Sequence, residues 1–142
     1  MELYSFNFIY DNTLLSAVCG LQFTMPFNGK KVTGALGSSV NFTWVFNGNV
    51  DRIDWGTKKK GAAAIEDVLV SIDKLQTITT IKSRPYGGRV NGNWDGSSPG
   101  HATFILNSIQ KADEKFYVCK LIPESVLGQP VQDIVQLLVE GK

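Results

Sequence analysis

Histidine is almost missing from this chain, cysteine is scarce, and no apolar run is long; each shortage closes off a class of function. His101 is the only histidine among 142 residues. It stands beside Pro99-Gly100 at the start of an expected strand, with no acid or nucleophile near it in sequence, so an acid–base or nucleophilic centre has no obvious parts. Neither Cys19 nor Cys119 has a sequence neighbour that would lower a thiol pKa, and no His/Cys/Asp cluster has metal-ligand spacing. Asp51 and Asp54, the nearest thing to a carboxylate pair, read as solubility charges. No Gly-rich strand-to-helix turn offers a phosphate cradle. The expectation is a protein without catalysis, metal or cofactor.

The two cysteines allow one intramolecular bridge. Closing so long a loop without strain would contribute about 4–5 kcal/mol. Two buried thiols fit the composition equally well. Charge of one sign is also lacking: 14 basic and 13 acidic residues give a net charge of +1, which points to no polyanionic partner and to no nucleic acid. The only basic run, Lys58-Lys59-Lys60, reads as a solvated turn. No apolar stretch approaches the roughly 20 residues that cross a bilayer, so a membrane would be reached only through segments outside this chain. Leu14 to Gly20 has a faint look of a secretion signal, but Glu2 and Asp11 stand where a basic start belongs. Residues 1–20 therefore read as an N-terminal extension or added strand, and residues 21–142 as one domain.

What is present is strand patterning. Hydrophobic residues make up 43% of the chain and 14 residues are glycine, the composition of a turn-rich β globule. At this length folding buries roughly 70% of the unfolded chain's surface, so a core needs no staple. Val40, Phe42 and Trp44 alternate with Asn41 and Thr43, and Ile53 and Trp55 flank Asp54, a period of two. Asn28-Gly29, Asn47-Gly48, Gly87-Gly88, Asn91-Gly92, Asp95-Gly96 and Pro99-Gly100 punctuate the pattern with turns. The spacing predicts strands near 21–24, 32–36, 39–46, 52–56, 68–73, 77–81, 89–93, 102–109, 115–122 and 133–140. Gly61 to Asp67 could form a turn or so of helix, but alanines alone cannot support an isolated helix of that length. Short strands between regular turns suggest a two-sheet sandwich.

Ala112-Asp113-Glu114-Lys115-Phe116-Tyr117-Val118-Cys119 resembles the F-strand signature of immunoglobulin domains, an Asp four residues before a Tyr and a Cys two after it. Trp55 stands at the strand-C spacing, and Gly88-Arg89-Val90 followed by the 102–110 strand is similar to the D–E–F succession of V-set domains. The resemblance implies an all-β V-set Greek-key sandwich with strands A, A′, B, C, C′, C″, D, E, F and G. It also implies an Arg89–Asp113 ion pair across its lower end and a Tyr117 hydroxyl returned to nearby backbone. One departure stands out: Trp44 occupies the strand-B place of the cysteine that usually bridges to Cys119. The B–F disulfide is therefore expected to be absent, with Trp44 buried against the Cys119 position and its bulk met either by slightly splayed sheets or by small core neighbours. Together with Asp51-Arg52-Ile53-Asp54-Trp55-Gly56-Thr57-Lys58-Lys59, this combination looks like the membrane-distal domains of cnidarian allorecognition receptors. It is similar also to V-type domains of the signalling-lymphocyte-activation family. Both imply recognition at the cell surface, often between identical molecules on opposing cells.

Alternation then assigns directions. With Tyr117, Cys119 and Leu121 inward, Phe116, Val118, Lys120 and Ile122 point to the outer face of the GFCC′ sheet. Inward Val135, Leu137 and Val139 leave Ile134, Gln136 and Leu138 outward, and Val70 on C′ and Arg52 and Asp54 on C join them. Exposed aliphatics with scattered charges of both signs describe a protein–protein face, unless residues 1–20 fold across it. Val126 and Leu127, at the tip of the F–G loop, either anchor a partner or tuck inward. Asn41-Phe42-Thr43 is the only N-glycosylation sequon, with Asn41 outward. A second reading is a lectin-like domain holding an acidic glycan through Lys120, although lysine lacks the bidentate fork of arginine.

Overall fold

A computed structural model describes residues 20–141. The expected N-terminal extension, apart from Gly20, and Cys19 lie outside the described residues. Within them the chain forms ten strands. β1 (Gln22–Phe23), β2 (Lys31–Ala35), β3 (Val40–Asn47), β4 (Val50–Lys58) and β5 (Asp67–Asp73) come first. β6 (Ile78–Thr80), β7 (Val90–Asn93), β8 (Gly100–Leu106), β9 (Phe116–Pro123) and β10 (Val131–Glu140) follow, with one 3-10 turn at Lys111–Asp113. Each occupies a stretch where the alternation predicts a strand. One open reading is decided and one expected boundary is corrected. Gly61 to Asp67 makes no helical turn, because so short an isolated segment cannot repay helix nucleation. The strand expected to run to Ile109 stops at Leu106, since Ser108 takes a left-handed φ of 51°.

Six strands form one sheet in the order β2-β10-β9-β4-β5-β6, and four form the other in the order β1-β3-β8-β7. All pairings are antiparallel except β2 with β10, which run parallel from Lys31 opposite Gln136 to Ala35 opposite Glu140. The chain changes sheets between β1 and β2 at Asn28-Gly29, where φ values of 53° and 79° need residues that tolerate the left-handed region.

The core lies between the sheets. Phe42, Trp44 and Phe46 from β3 meet Ile53 and Trp55 from β4, Phe104 and Leu106 from β8, and Tyr117 and Leu121 from β9. Trp55 stacks on Phe104 at 5.3 Å and on Tyr117 at 5.7 Å, and Phe42 on Tyr117 at 5.6 Å. Such pairs add about 0.5–1.5 kcal/mol each beyond burial. Trp44 is fully buried and its pairing partner on β8 is Ala102, the small neighbour that its bulk requires.

No disulfide joins the sheets at Cys119, which is a buried free thiol. A hydrogen bond stands there instead. The Trp44 indole N–H donates to Asp133 Oδ2 at 2.8 Å, and Asp133 is the cross-strand partner of Cys119. The same carboxylate accepts the backbone N–H groups of Phe27 at 2.7 Å and Asn28 at 3.0 Å. It therefore ties strand β3, strand β10 and the sheet-switching corner together. A buried carboxylate needs such a set of donors to offset its lost hydration.

At the opposite end, the Tyr117 hydroxyl donates to the Asp113 carbonyl at 2.7 Å and lies 3.2 Å from that of Tyr86. Burial pushes the Tyr117 phenol far above its ordinary pKa, so it remains a donor. Arg89 forms the expected ion pair with Asp113. Its guanidinium also donates to the carbonyls of Pro85 at 3.1 Å, Asn107 at 3.2 Å and Ser108 at 3.2 Å.

Candidate functional site

The outer face of the six-stranded sheet carries Phe116, Lys120 and Ile122 from β9 and Ile134, Gln136 and Leu138 from β10, all half-buried, with Arg52 exposed on β4. Alternation along β9 and β10 places these side chains opposite Tyr117, Cys119, Val135 and Leu137, which enter the core.

Three of the expected contact residues behave differently. Val70 points inward and belongs to the core, because it pairs directly with inward Trp55, as Ile72 does with Ile53, and opposite residues of an antiparallel pair share a face. Val118 does point outward, yet its exposure is 0%. Its partner on β4 is Gly56, and the space above Gly56 is filled by Ile65, whose Cγ2 lies 2.8 Å from where a Cβ at Gly56 would stand. The loop 59–66 thus folds back over the sheet, and the Gln132 amide on β10 donates to the Ala63 carbonyl at 3.0 Å. This chain's own loop covers the centre of the face. Asp54, the third, is nearly buried and occupied: it accepts Arg52 Nε at 3.0 Å, Arg52 Nη2 at 3.2 Å and Ser71 Oγ at 2.7 Å.

Lys58 also departs from expectation. It closes β4 rather than entering a solvated turn, and only 8% of it is exposed. Lys59 and Lys60 are exposed.

The upper end of the sandwich is freer. Val126 and Leu127 in the β9–β10 loop are 98% and 88% exposed, and Leu75 in the β5–β6 loop is 81% exposed. The two loops belong to one end of the domain, since Lys74 and Glu124 form an ion pair at 3.1 Å. Val126 and Leu127 do not tuck inward. Leu75 was invisible to alternation, which has no reach into turns.

The face of the other sheet is polar by comparison. Asn41, Asn91, Asn93 and His101 are exposed there, and Thr43 and Thr103 share a hydrogen bond at 2.8 Å. Asn41 of the sequon is outward and open to solvent.

Cys119 has no chemistry to offer in the folded state. Burial raises its thiol pKa first, and the nearby Asp133 and Asp54 charges raise it further, so the nucleophilic thiolate is suppressed. Iodoacetamide should leave the Cys119 peptide unmodified in native protein and label it fully in denaturant, as read by peptide mass spectrometry. Among the described residues, no group of three or more His, Cys, Asp or Glu is placed to hold a metal ion.

Solved structures share this architecture. Murine CRIg superposes with a TM-score of 0.62 at 17% identity, covering 84% of this chain and 98% of that one. A chain from a structure on T cell specificity and activation by the bacterial superantigen toxic shock syndrome toxin-1 gives 0.60 at 17% identity, with the same coverage. Chimeric titin Z1Z2 gives 0.55 at 20% identity, covering 84% of this chain and 47% of that chain. No protein-family model and no curated protein sequence matches the chain. At these identities the likeness shows the fold, and the fold is immunoglobulin-like.

Proposed function

We propose that this chain is a V-set recognition domain of a cell-surface receptor, displayed outside the cell, that binds a second copy of itself on an opposing cell. The V-set reading is supported by the strands C′ and C″, here β5 and β6, and by the parallel pairing of β2 with β10. The observation that carries the binding reading is the exposure of Val126 and Leu127 at the loop that follows the half-buried Ile122 at the end of β9. Apolar side chains held in water at a loop tip gain free energy only when a partner covers them. Arg52 and Lys120 supply positive charge, and Asp73 and Glu124 negative charge, around the same end, as a self-complementary two-fold contact requires. A glycan on Asn41 would shield the polar sheet and leave this face free. Discrimination between self and non-self tissue, as in cnidarian allorecognition receptors, is the narrower form of this proposal. No catalytic step belongs to it.

The test is sedimentation at rising concentration together with aggregation of beads coated with the domain. Val126→Asp combined with Leu127→Asp should abolish both signals. The unfolding midpoint should stay put, because exposed substitutions change stability by no more than about 0.5 kcal/mol. Aggregation persisting in that variant would remove the loop from the interface, and a wild-type domain that never self-associates would turn the proposal to a different ectodomain. Val118→Asp is unsuitable as a probe, since it would bury a carboxylate under the loop 59–66 and report on folding. The acidic-glycan reading through Lys120 has little to favour it, because the cross-strand partner of Lys120 on β4 is Asp54.

A further inference from the structure

Between the turn at Lys60-Gly61 and the sheet-switching corner lies an open cavity of about 480 Å³, lined by Asn28, Gly29, Lys58, Lys60, Gly61, Phe116, Gln132, Asp133 and Ile134. Its volume falls within the roughly 300–1,000 Å³ of small-ligand sites. Lys58 and Phe116 are cross-strand partners on the outer sheet face, so a cation and an aromatic ring share one wall. Ile134 provides a second apolar surface, while the sheet-switching corner at Asn28-Gly29 and the turn at Lys60-Gly61 close the sides.

Lys58 is the unusual member. It is more than nine-tenths buried, yet among the described residues its ammonium has one partner, the Lys59 carbonyl at 3.3 Å, and it takes part in no ion pair there. An ammonium carries three donors and loses several kcal/mol of hydration on burial, which an anion normally offsets. Asp133 does not serve. Both its oxygens are committed to the N–H groups of Phe27, Asn28 and Trp44. Lys60, on the same cavity, adds a second positive charge.

We infer that this cavity is a binding site for a small organic carboxylate, its anionic group on Lys58 and Lys60 and its ring or apolar body against Phe116 and Ile134. A sugar acid and an aromatic acid both present that chemistry. The inference is separable from self-recognition through the loop tip, since neither Val126 nor Leu127 lines the cavity.

Isotope-edited NMR of the described domain fold in the intact chain reads the site through the methyl signals of Ile134. Titration with phenylacetate and with glucuronate tells the two sources apart, and phenylacetamide and glucose are their neutral controls. At least one carboxylate should shift Ile134 saturably with an affinity of about 1 mM or better, and its neutral control should bind at least about tenfold more weakly, the worth of a charged hydrogen bond. Lys58→Met keeps the volume and removes the charge. It should weaken binding about tenfold or more while the thermal midpoint holds or rises, as happens when an unpaired buried charge is replaced by an apolar isostere. Val126→Asp with Leu127→Asp should leave the titration unchanged. Absence of saturation with either acid, equal binding of the neutral controls, or full affinity in Lys58→Met would each overturn the assignment.

Discussion

Alanine in place of Asp133 is expected to destabilise the domain by about 3–5 kcal/mol, a loss that few single side-chain truncations outside the aromatic core should match. Three N–H donors lose their acceptor at once: the Trp44 indole and the backbone groups of Phe27 and Asn28. Each orphaned buried donor costs about 1–3 kcal/mol, less where water enters the space left behind. Asparagine should lie between alanine and wild type. Its carbonyl can stay with Trp44 and Phe27, but its amide then faces the Asn28 N–H, donor against donor. Trp44→Phe removes one of the three donors, so a double-mutant cycle between Trp44→Phe and Asp133→Ala isolates the link that stands where a disulfide would be. Urea unfolding followed by tryptophan fluorescence measures all four corners. Equal stability of Asp133→Ala and wild type would mean that packing alone holds the sheets together here.

The second large effect is expected at the lower end. Arg89→Ala leaves the carboxylate of Asp113 buried with the Gln110 N–H as its remaining partner, and frees the carbonyls of Pro85, Asn107 and Ser108. Removing one member of a buried ion pair costs about 3–5 kcal/mol, because the other charge stays behind. Lysine at position 89 should recover part of that. It keeps the charge but cannot fan out to four acceptors as the guanidinium does. The same Asp113 supplies the carbonyl that Tyr117 grips, so the corner and the ion pair are coupled, and Tyr117→Phe should cost about 1 kcal/mol on its own. Thermal unfolding of Arg89→Ala, Arg89→Lys and Tyr117→Phe orders these contributions. Arg89→Ala as stable as Arg89→Lys would show that the charge contributes nothing there.

Much of this architecture is legible in one dimension, and the reasons are local. Strand positions follow from a period-two pattern that burial of one sheet face imposes on each segment. Trp44 and Trp55 are inward by that rule, and the Tyr117 corner and the Arg89–Asp113 pair follow from a short motif with fixed spacing. Asp133 could have been read by carrying the inward parity of Val135, Leu137 and Val139 one step back along the strand. Its bond to Trp44 could not, since that joins residues 89 positions apart in the chain.

The candidate site divides along the same line. The chain by itself determined which residues face the core and which face out, because side-chain direction alternates wherever the backbone is extended. It also placed apolar residues at a loop tip. Only the tertiary structure decided that Val70 joins the core opposite Trp55, that Gly56 and Ile65 let the loop 59–66 roof over Val118, and that Lys58 ends on the wall of a cavity. Strand register, loop paths and cavities arise from contacts between distant segments, and no periodicity in the chain encodes where two such segments meet.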